Sequence, residues 1–363
     1  MKERKANFEL LRIIAMLMII SLHYLDKGGV LCDAAKGPAT PVDFLAWGIE
    51  ALCVSSVNVY VLISAYFLAD ADYKPRRAVK VWAQTFFYSA GIFALMYGAG
   101  ALTAKESDLY HMLTCLLPIT EEHYWFVTAY ILMILFAPLM NETLKKLAKE
   151  TYQRGLLFLF LILSLAPTVL PVKLPTDRGG YDVIWFLFLY LLGVYIRIHG
   201  LAISYGRVRE RNEAMRPLRY RAICFILYLL VSAAIFISMW FVSGVHTLTG
   251  KLGDFITRQY HYNSALCLAA SVLLFLVFEN LELSDEKIGQ GICFLSAGSF
   301  GVYLIHEHTT LRYLWPQWFG VEKMAHTPLF AVHLLGTAVV IYLICALIDY
   351  VRRKLFESLK ITH

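Results

Sequence analysis

The sequence predicts an all-α integral membrane protein of about ten transmembrane helices with both termini in the cytoplasm. Hydrophobic residues make up 59% of the chain, aromatic residues 14% and charged residues only 17%, far from the balance of a soluble domain. Apolar stretches long enough to cross a bilayer recur near 8–25, 43–69, 79–101, 124–140, 155–171, 182–198, 221–243, 263–281, 291–308 and 328–350. With that alternation, the connections on one side carry 22 Lys and Arg and those on the other carry 9, while Arg12 and Arg197 inside spans complete the 33. The positive-inside rule assigns the basic side to the cytoplasm. No soluble domain, low-complexity tract or clear internal repeat interrupts the pattern, so residues 1–363 read as one membrane domain.

The first span, FELLRIIAMLMIISLHYL, follows Lys2, Arg4 and Lys5 and resembles a secretory signal in outline. An arginine inside the apolar segment and the lack of an A-x-A site argue for a retained helix. Arg12 and His23 are separated by about 20° beyond three full turns and a rise of about 16 Å, so they share one face at different depths. Glu9, three residues before Arg12, is within side-chain reach on that face. Lipid penalises an arginine at a helix centre by about 2.5 to 3.5 kcal/mol, so the face must look into protein or a water-filled cavity.

Between the second and third spans, the run from Tyr73 to Arg77 followed by Lys80 gathers cations at a helix entrance. Arg76, Arg77 and Lys80 there either orient the chain or grip a phosphorylated donor. The fourth span opens on Glu121-Glu122-His123-Tyr124-Trp125-Phe126. The connection at 199–221 is the most basic, with Arg207, Arg209, Arg211, Arg216, Arg219 and Arg221, and reads as a topology signal in contact with lipid headgroups. Nucleic acid is excluded as a partner, because the net charge of +6 is spread over short loops between apolar spans. Outer connections at 26–42, 102–123, 172–181, 244–262 and 309–327 are longer than tight turns need, and such loops could cover an outward-facing site. The ninth span ends in the run Ser299 to His308. His306 and His308 lie two apart, face away from each other on a helix and lack HExxH spacing, so no metal is expected. The seven cysteines are scattered singly, with no CxxC pair, and imply neither a disulfide framework nor a zinc site.

His23 is the first candidate for chemistry, since an imidazole with an ordinary pKa near 6.5 can take a proton and return it. Its bland reading is a buried histidine making one interhelical hydrogen bond. Arg12 is the second, as a fixed donor fork for an anionic or carbonyl group, or as a structural partner of Glu9.

Together these residues resemble the membrane-bound acyltransferase 3 family, which opens with an acidic residue, Arg three later and His eleven after that: Glu9, Arg12 and His23. The segment YVLISAYF from Tyr60 to Phe67, containing Ser64, is similar to the family's end of the second helix, with Ala65 in place of the usual Gly. Trp125-Phe126 and the YLIH from Tyr303 to His306 also look like family features. The family's R-x-x-R loop motif is not reproduced, because Arg77 and Lys80 give R-x-x-K.

The resemblance implies a multi-pass enzyme of a bacterial plasma membrane that moves an acyl group, acetyl above all, from a cytosolic acyl-CoA such as acetyl-CoA. Acyl-CoA is the donor substrate, and no cofactor stays bound. The acceptor is a hydroxyl of an extracytoplasmic cell-surface polysaccharide, a lipid-linked glycan or another glycan. His23 becomes the general base and Arg12 the residue that positions the donor. Arg76, Arg77 and Lys80 bind the donor, and Glu9, Ser64, His123, Trp125, Tyr303 and His306 support. No hydrolase-like domain follows the tenth span, so transfer is completed within the membrane domain. A transporter or flippase of a glycan or small anion is the competing class, since intramembrane Arg and His also mark substrate pathways. A membrane sensor or scaffold is a third, and would survive loss of His23.

Overall fold

A computed structural model describes all residues except 1–4, 73, 104–106, 120–123, 171–176, 326, 328 and 360–363. Tyr73, Glu121, Glu122 and His123 therefore lie outside the described residues. Among those described there are helices and no strand: α1 (Ala6–Lys27), α2 (Pro41–Cys53), α3 (Ser56–Leu68), α4 (Arg76–Gly98), α5 (Leu109–Leu116), α6 (Trp125–Leu144), α7 (Lys149–Phe160), α8 (Ala166–Val169), α9 (Val183–His199), α10 (Tyr205–Arg211), α11 (Pro217–Thr249), α12 (Ala265–Glu279), α13 (Glu286–Ser296), α14 (Ser299–His306), α15 (Leu311–Trp318), α16 (Val321–Met324) and α17 (Phe330–Ser358).

Eight helical stretches among the described residues are long and apolar enough to cross a membrane: 6–27, 41–68, 125–144, 149–169, 217–249, 253–279, 286–306 and 330–358. The all-helical membrane class expected from composition is the class observed. Two of the expected apolar stretches fall outside those eight. α9 is too short, and α4 carries Gln84, Thr85 and Ser89 in its middle.

Three stretches that look continuous in sequence are interrupted in the structure, and in each the carbonyls near the break find side-chain donors. Between α2 and α3, Tyr228 donates to Leu52 O at 2.6 Å and Ser271 to Ser55 O at 3.3 Å. Between α13 and α14, Tyr342 donates to Leu295 O at 3.2 Å and its hydroxyl lies 2.9 Å from Ser299 Oγ. The third break is a π-helical turn, Leu161–Leu165, that joins α7 to α8 just before Pro167. Proline has no N–H for the carbonyl four residues back, and that carbonyl, Leu163 O, accepts from Asn263 Nδ2 at 3.2 Å. Irregular backbone at membrane depth survives only with such replacements.

The helices fall into two units, one of residues 1–30, 79–127 and 283–363 and one of residues 31–78 and 128–282. In the first, α1 packs against α13, α14 and α17. Buried Asp349 of α17 joins α4 there, accepting from Gln84 Nε2 at 3.1 Å, Tyr88 OH at 2.8 Å and Arg352 Nε at 2.9 Å. Gly301 of α14 makes room for it, since a Cβ at that position would stand 2.4 Å from Asp349 Oδ1. In the second unit α3 packs on α9, and α11 on α12 and α2. Its interior is pinned by Asn58, which accepts from Trp185 Nε1 at 3.0 Å and donates to Tyr262 O at 2.7 Å.

Candidate functional site

Both Arg12 and His23 ride on α1, whose apolar residues Leu11, Ala15, Ile19 and Leu22 are buried at helical spacing. The helix ends at Gly28 and Gly29. Gly29 has φ +66°, and Val30 N bonds back to Leu25 O at 3.0 Å, a left-handed cap that suits glycine.

Near the start of α1, Arg12 Nη1 donates to Glu9 Oε1 at 3.0 Å. The other carboxylate oxygen of Glu9 accepts from Ser296 Oγ at 2.5 Å, which ties the pair to the last residue of α13. The remaining guanidinium nitrogens of Arg12 have no partner among the described residues, and its side chain is 22% exposed. The carboxylate thus orients the fork and leaves part of it able to bind something else.

Toward the other end of α1, His23 meets the end of α14. His23 Nδ1 lies 3.0 Å from His306 Nε2 and 3.1 Å from Glu307 Oε2. His306 Nδ1 lies 2.6 Å from Val302 O. A carbonyl only accepts, so His306 Nδ1 carries the proton and its Nε2, in the neutral ring, is an acceptor. The proton between the two rings therefore sits on His23 Nδ1, and the lone pair of His23 is on Nε2. That nitrogen has no partner among the described residues, on a side chain 21% exposed.

The shell around this pair comes from the segment after α14. Arg312 Nη1 donates to Glu307 Oε1 at 3.3 Å, and Trp315 Nε1 donates to His306 O at 3.1 Å. Tyr303 packs edge-on to His306 with centroids 6.2 Å apart, and its own ring meets Phe126 at 5.5 Å. Trp125 meets Phe126 at 6.0 Å. His308 faces elsewhere: Nε2 donates to Ser89 O at 3.1 Å and Nδ1 accepts from Thr310 N at 3.3 Å. Both its nitrogens serve the fold.

The donor atoms of His23, His306 and Glu307 lie within 4.8 Å of one another, a grouping that could hold a metal ion. The sequence argument against a metal considered His306 with His308, and the structure brings a different trio together. In that trio His23 Nδ1 hydrogen-bonds to His306 Nε2, and Glu307 Oε2, 3.1 Å from the same nitrogen, is a buried oxygen without a hydrogen-bond partner among the described residues.

Of the residues singled out from the sequence, Glu9, Arg12, His23, Trp125, Tyr303 and His306 belong to the first unit. Ser64 belongs to the second, where its hydroxyl donates to Tyr60 O at 3.1 Å and accepts from Tyr130 at 3.2 Å. Arg76 and Arg77 open α4 in the second unit and Lys80 lies in the first; Arg76 and Lys80 are exposed, and Arg77 donates to Asp72 O at 3.3 Å. His123 is outside the described residues. Sequence reasoning missed Glu307 and Arg312 as site residues. For Glu307 a signal existed in the His-Glu-His run; for Arg312, on α15 in a connection that the sequence marks for no role, there was none.

A family model described as an acyltransferase domain matches residues 5–350. No curated protein and no solved structure matches the chain.

Proposed function

The chain belongs to the acyltransferase 3 family and is a membrane acyltransferase; we propose that it is an O-acyltransferase moving an acyl group, acetyl in particular, from cytosolic acyl-CoA to a hydroxyl of an extracytoplasmic cell-surface glycan. The observation that carries this reading is the 2.6 Å approach of His306 Nδ1 to Val302 O, from which the proton shared between the rings is assigned to His23 Nδ1 and a lone pair to its partly exposed Nε2. His23 Nε2 takes the proton of the acceptor hydroxyl as its oxygen attacks the thioester carbonyl. The tetrahedral intermediate collapses, the carbon–sulfur bond breaks, and the proton passes from Nε2 to the departing CoA thiolate. Glu307, 3.1 Å from Nδ1, balances the imidazolium formed in between. Arg12, anchored through Glu9, presents its remaining N–H groups to the donor about 16 Å along α1 from His23. Both termini lie in the cytoplasm in this scheme, so the Arg12 end of α1 receives the donor and the His23 end the acceptor.

The test is transfer of labelled acetyl from acetyl-CoA to deacylated surface glycan by the purified protein in lipid nanodiscs. Labelled, covalently acylated glycan is the expected product. Glycan crossing a sealed vesicle without any acyl-CoA, and no labelled product, would point to transport instead.

A further inference from the structure

The second unit contains a cavity of about 460 Å³ that none of the chemistry above uses. Its lining includes Asp177, Arg178, Tyr181, Asp254, Thr257 and His261. We propose that this cavity binds a neutral saccharide, as the subsite that holds the acceptor glycan; the identification of the saccharide as acceptor rests on the transferase reading above.

Its walls are tied together. Arg258, 7% exposed, spends Nη1 on Pro167 O at 2.8 Å and Leu170 O at 2.7 Å and stacks 3.9 Å over the Phe255 ring. Asp177 Oδ1 accepts from Gly179 N and from Asn263 Nδ2, both at 2.9 Å. Tyr262 N donates to Gly179 O at 3.0 Å, joining the two loops backbone to backbone. Gly180, at φ +85°, lets them meet, because a Cβ there would lie 2.8 Å from Asn263 N. The cavity therefore exists before any ligand arrives, which lowers the ordering cost of binding.

The lining selects the ligand. A volume of about 460 Å³ falls among those of small-ligand sites. Two carboxylates, Asp177 and Asp254, and two guanidiniums, Arg178 and Arg258, are among the lining residues, so the charges balance and neither an anion nor a cation is favoured. No apolar floor is offered to an acyl chain. Asp254 is exposed and can accept from sugar hydroxyls, and Thr257 can both donate and accept. Tyr181, 45% exposed and backed by Tyr262 with ring centroids 4.7 Å apart, offers a flat face for the C–H surface of a sugar ring.

Position agrees with this. The cavity lies at the start of α9 and beyond the end of α11, whereas the six-arginine connection lies beyond the end of α9 and at the start of α11. α11 has 33 residues, about 50 Å of helix, so within this unit the cavity and the arginines occupy opposite ends. The positive-inside rule puts the arginines in the cytoplasm and the cavity outside, where a surface glycan is found.

The experiment uses the full chain in nanodiscs and, as probe, the deacylated oligosaccharide released from the source organism's surface polysaccharide, with binding followed by calorimetry. Tyr181→Ala and Asp254→Asn, both at exposed positions, are each expected to weaken binding about tenfold or more at unchanged thermal midpoint. His23→Gln is expected to retain oligosaccharide binding while losing transfer. Absence of saturable binding, affinity equal to the parent's in both cavity variants, or displacement by equimolar inorganic phosphate overturns the proposal. Transfer by both variants with an unaltered dependence on oligosaccharide concentration overturns the subsite and leaves the transferase reading standing. Binding that needs Tyr181 and Asp254 in a protein that transfers no acyl group does the opposite.

Discussion

The two ends of α1 each place a partly exposed nitrogen side chain against a carboxylate, yet they are assembled differently. At the Arg12 end the carboxylate is Glu9, three residues away on the same helix. Helix geometry alone sets that contact, whatever the rest of the chain does. At the His23 end the partners are His306, 283 residues further on, and Glu307 beside it. Their meeting depends on the break after Ser296, on Gly301 seating over Asp349, and on Trp315 holding His306 O. A local pair can orient a charge. A non-local one can also fix a tautomer, because it brings a second ring and a carbonyl to bear on the same proton.

The largest effect should come from breaking the distal end at its centre. His23→Gln keeps much of the size and hydrogen bonding of histidine but cannot carry a proton on one nitrogen while accepting on another. The acyl-transfer rate is expected to fall by about 10² to 10⁴, measured at matched protein level and thermal midpoint. A variant within a few fold of the parent would mean that His23 is structural.

Glu307→Gln sharpens the same end by removing charge and keeping an acceptor. Loss of a charge-assisted bond of about 1.5 to 3 kcal/mol predicts a rate lower by about 10 to 100-fold, with acyl-CoA affinity unchanged. If the affinity falls and the rate constant does not, Glu307 acts on donor binding instead.

At the proximal end, Arg12→Lys preserves the charge beside Glu9 and removes the planar fork. A rise of about tenfold in KM for acyl-CoA, with a smaller change in kcat, is expected from loss of one charge-assisted bond. Poor yield with unaltered KM would make Arg12 simply the partner of Glu9.

The smallest effect concerns the trio His23, His306 and Glu307. Transfer measured after EDTA treatment and desalting should match the untreated protein, since the His23–His306 hydrogen bond and the Arg312–Glu307 ion pair already engage the three side chains. Loss of activity that zinc restores would show that the three side chains ligate a metal.

Membrane class and the helical framework were legible in the sequence because both follow from local properties, the length and apolarity of each stretch and the charge between stretches. The Glu9 and Arg12 pair was legible for the same reason, its partners being one helical turn apart. The interruptions within the apolar stretches were not, because they survive only where a remote donor such as Tyr228, Tyr342 or Asn263 reaches the freed carbonyl. The partners of Ser64 were likewise not all legible, since Tyr60 is one turn away on its own helix whereas Tyr130 reaches its hydroxyl from another.

The sequence by itself determined that His23 exists on a helical face shared with Arg12. Only the tertiary structure decided which of its nitrogens holds the proton, because that choice is made by Val302 O acting through His306, and neither is near His23 in the chain.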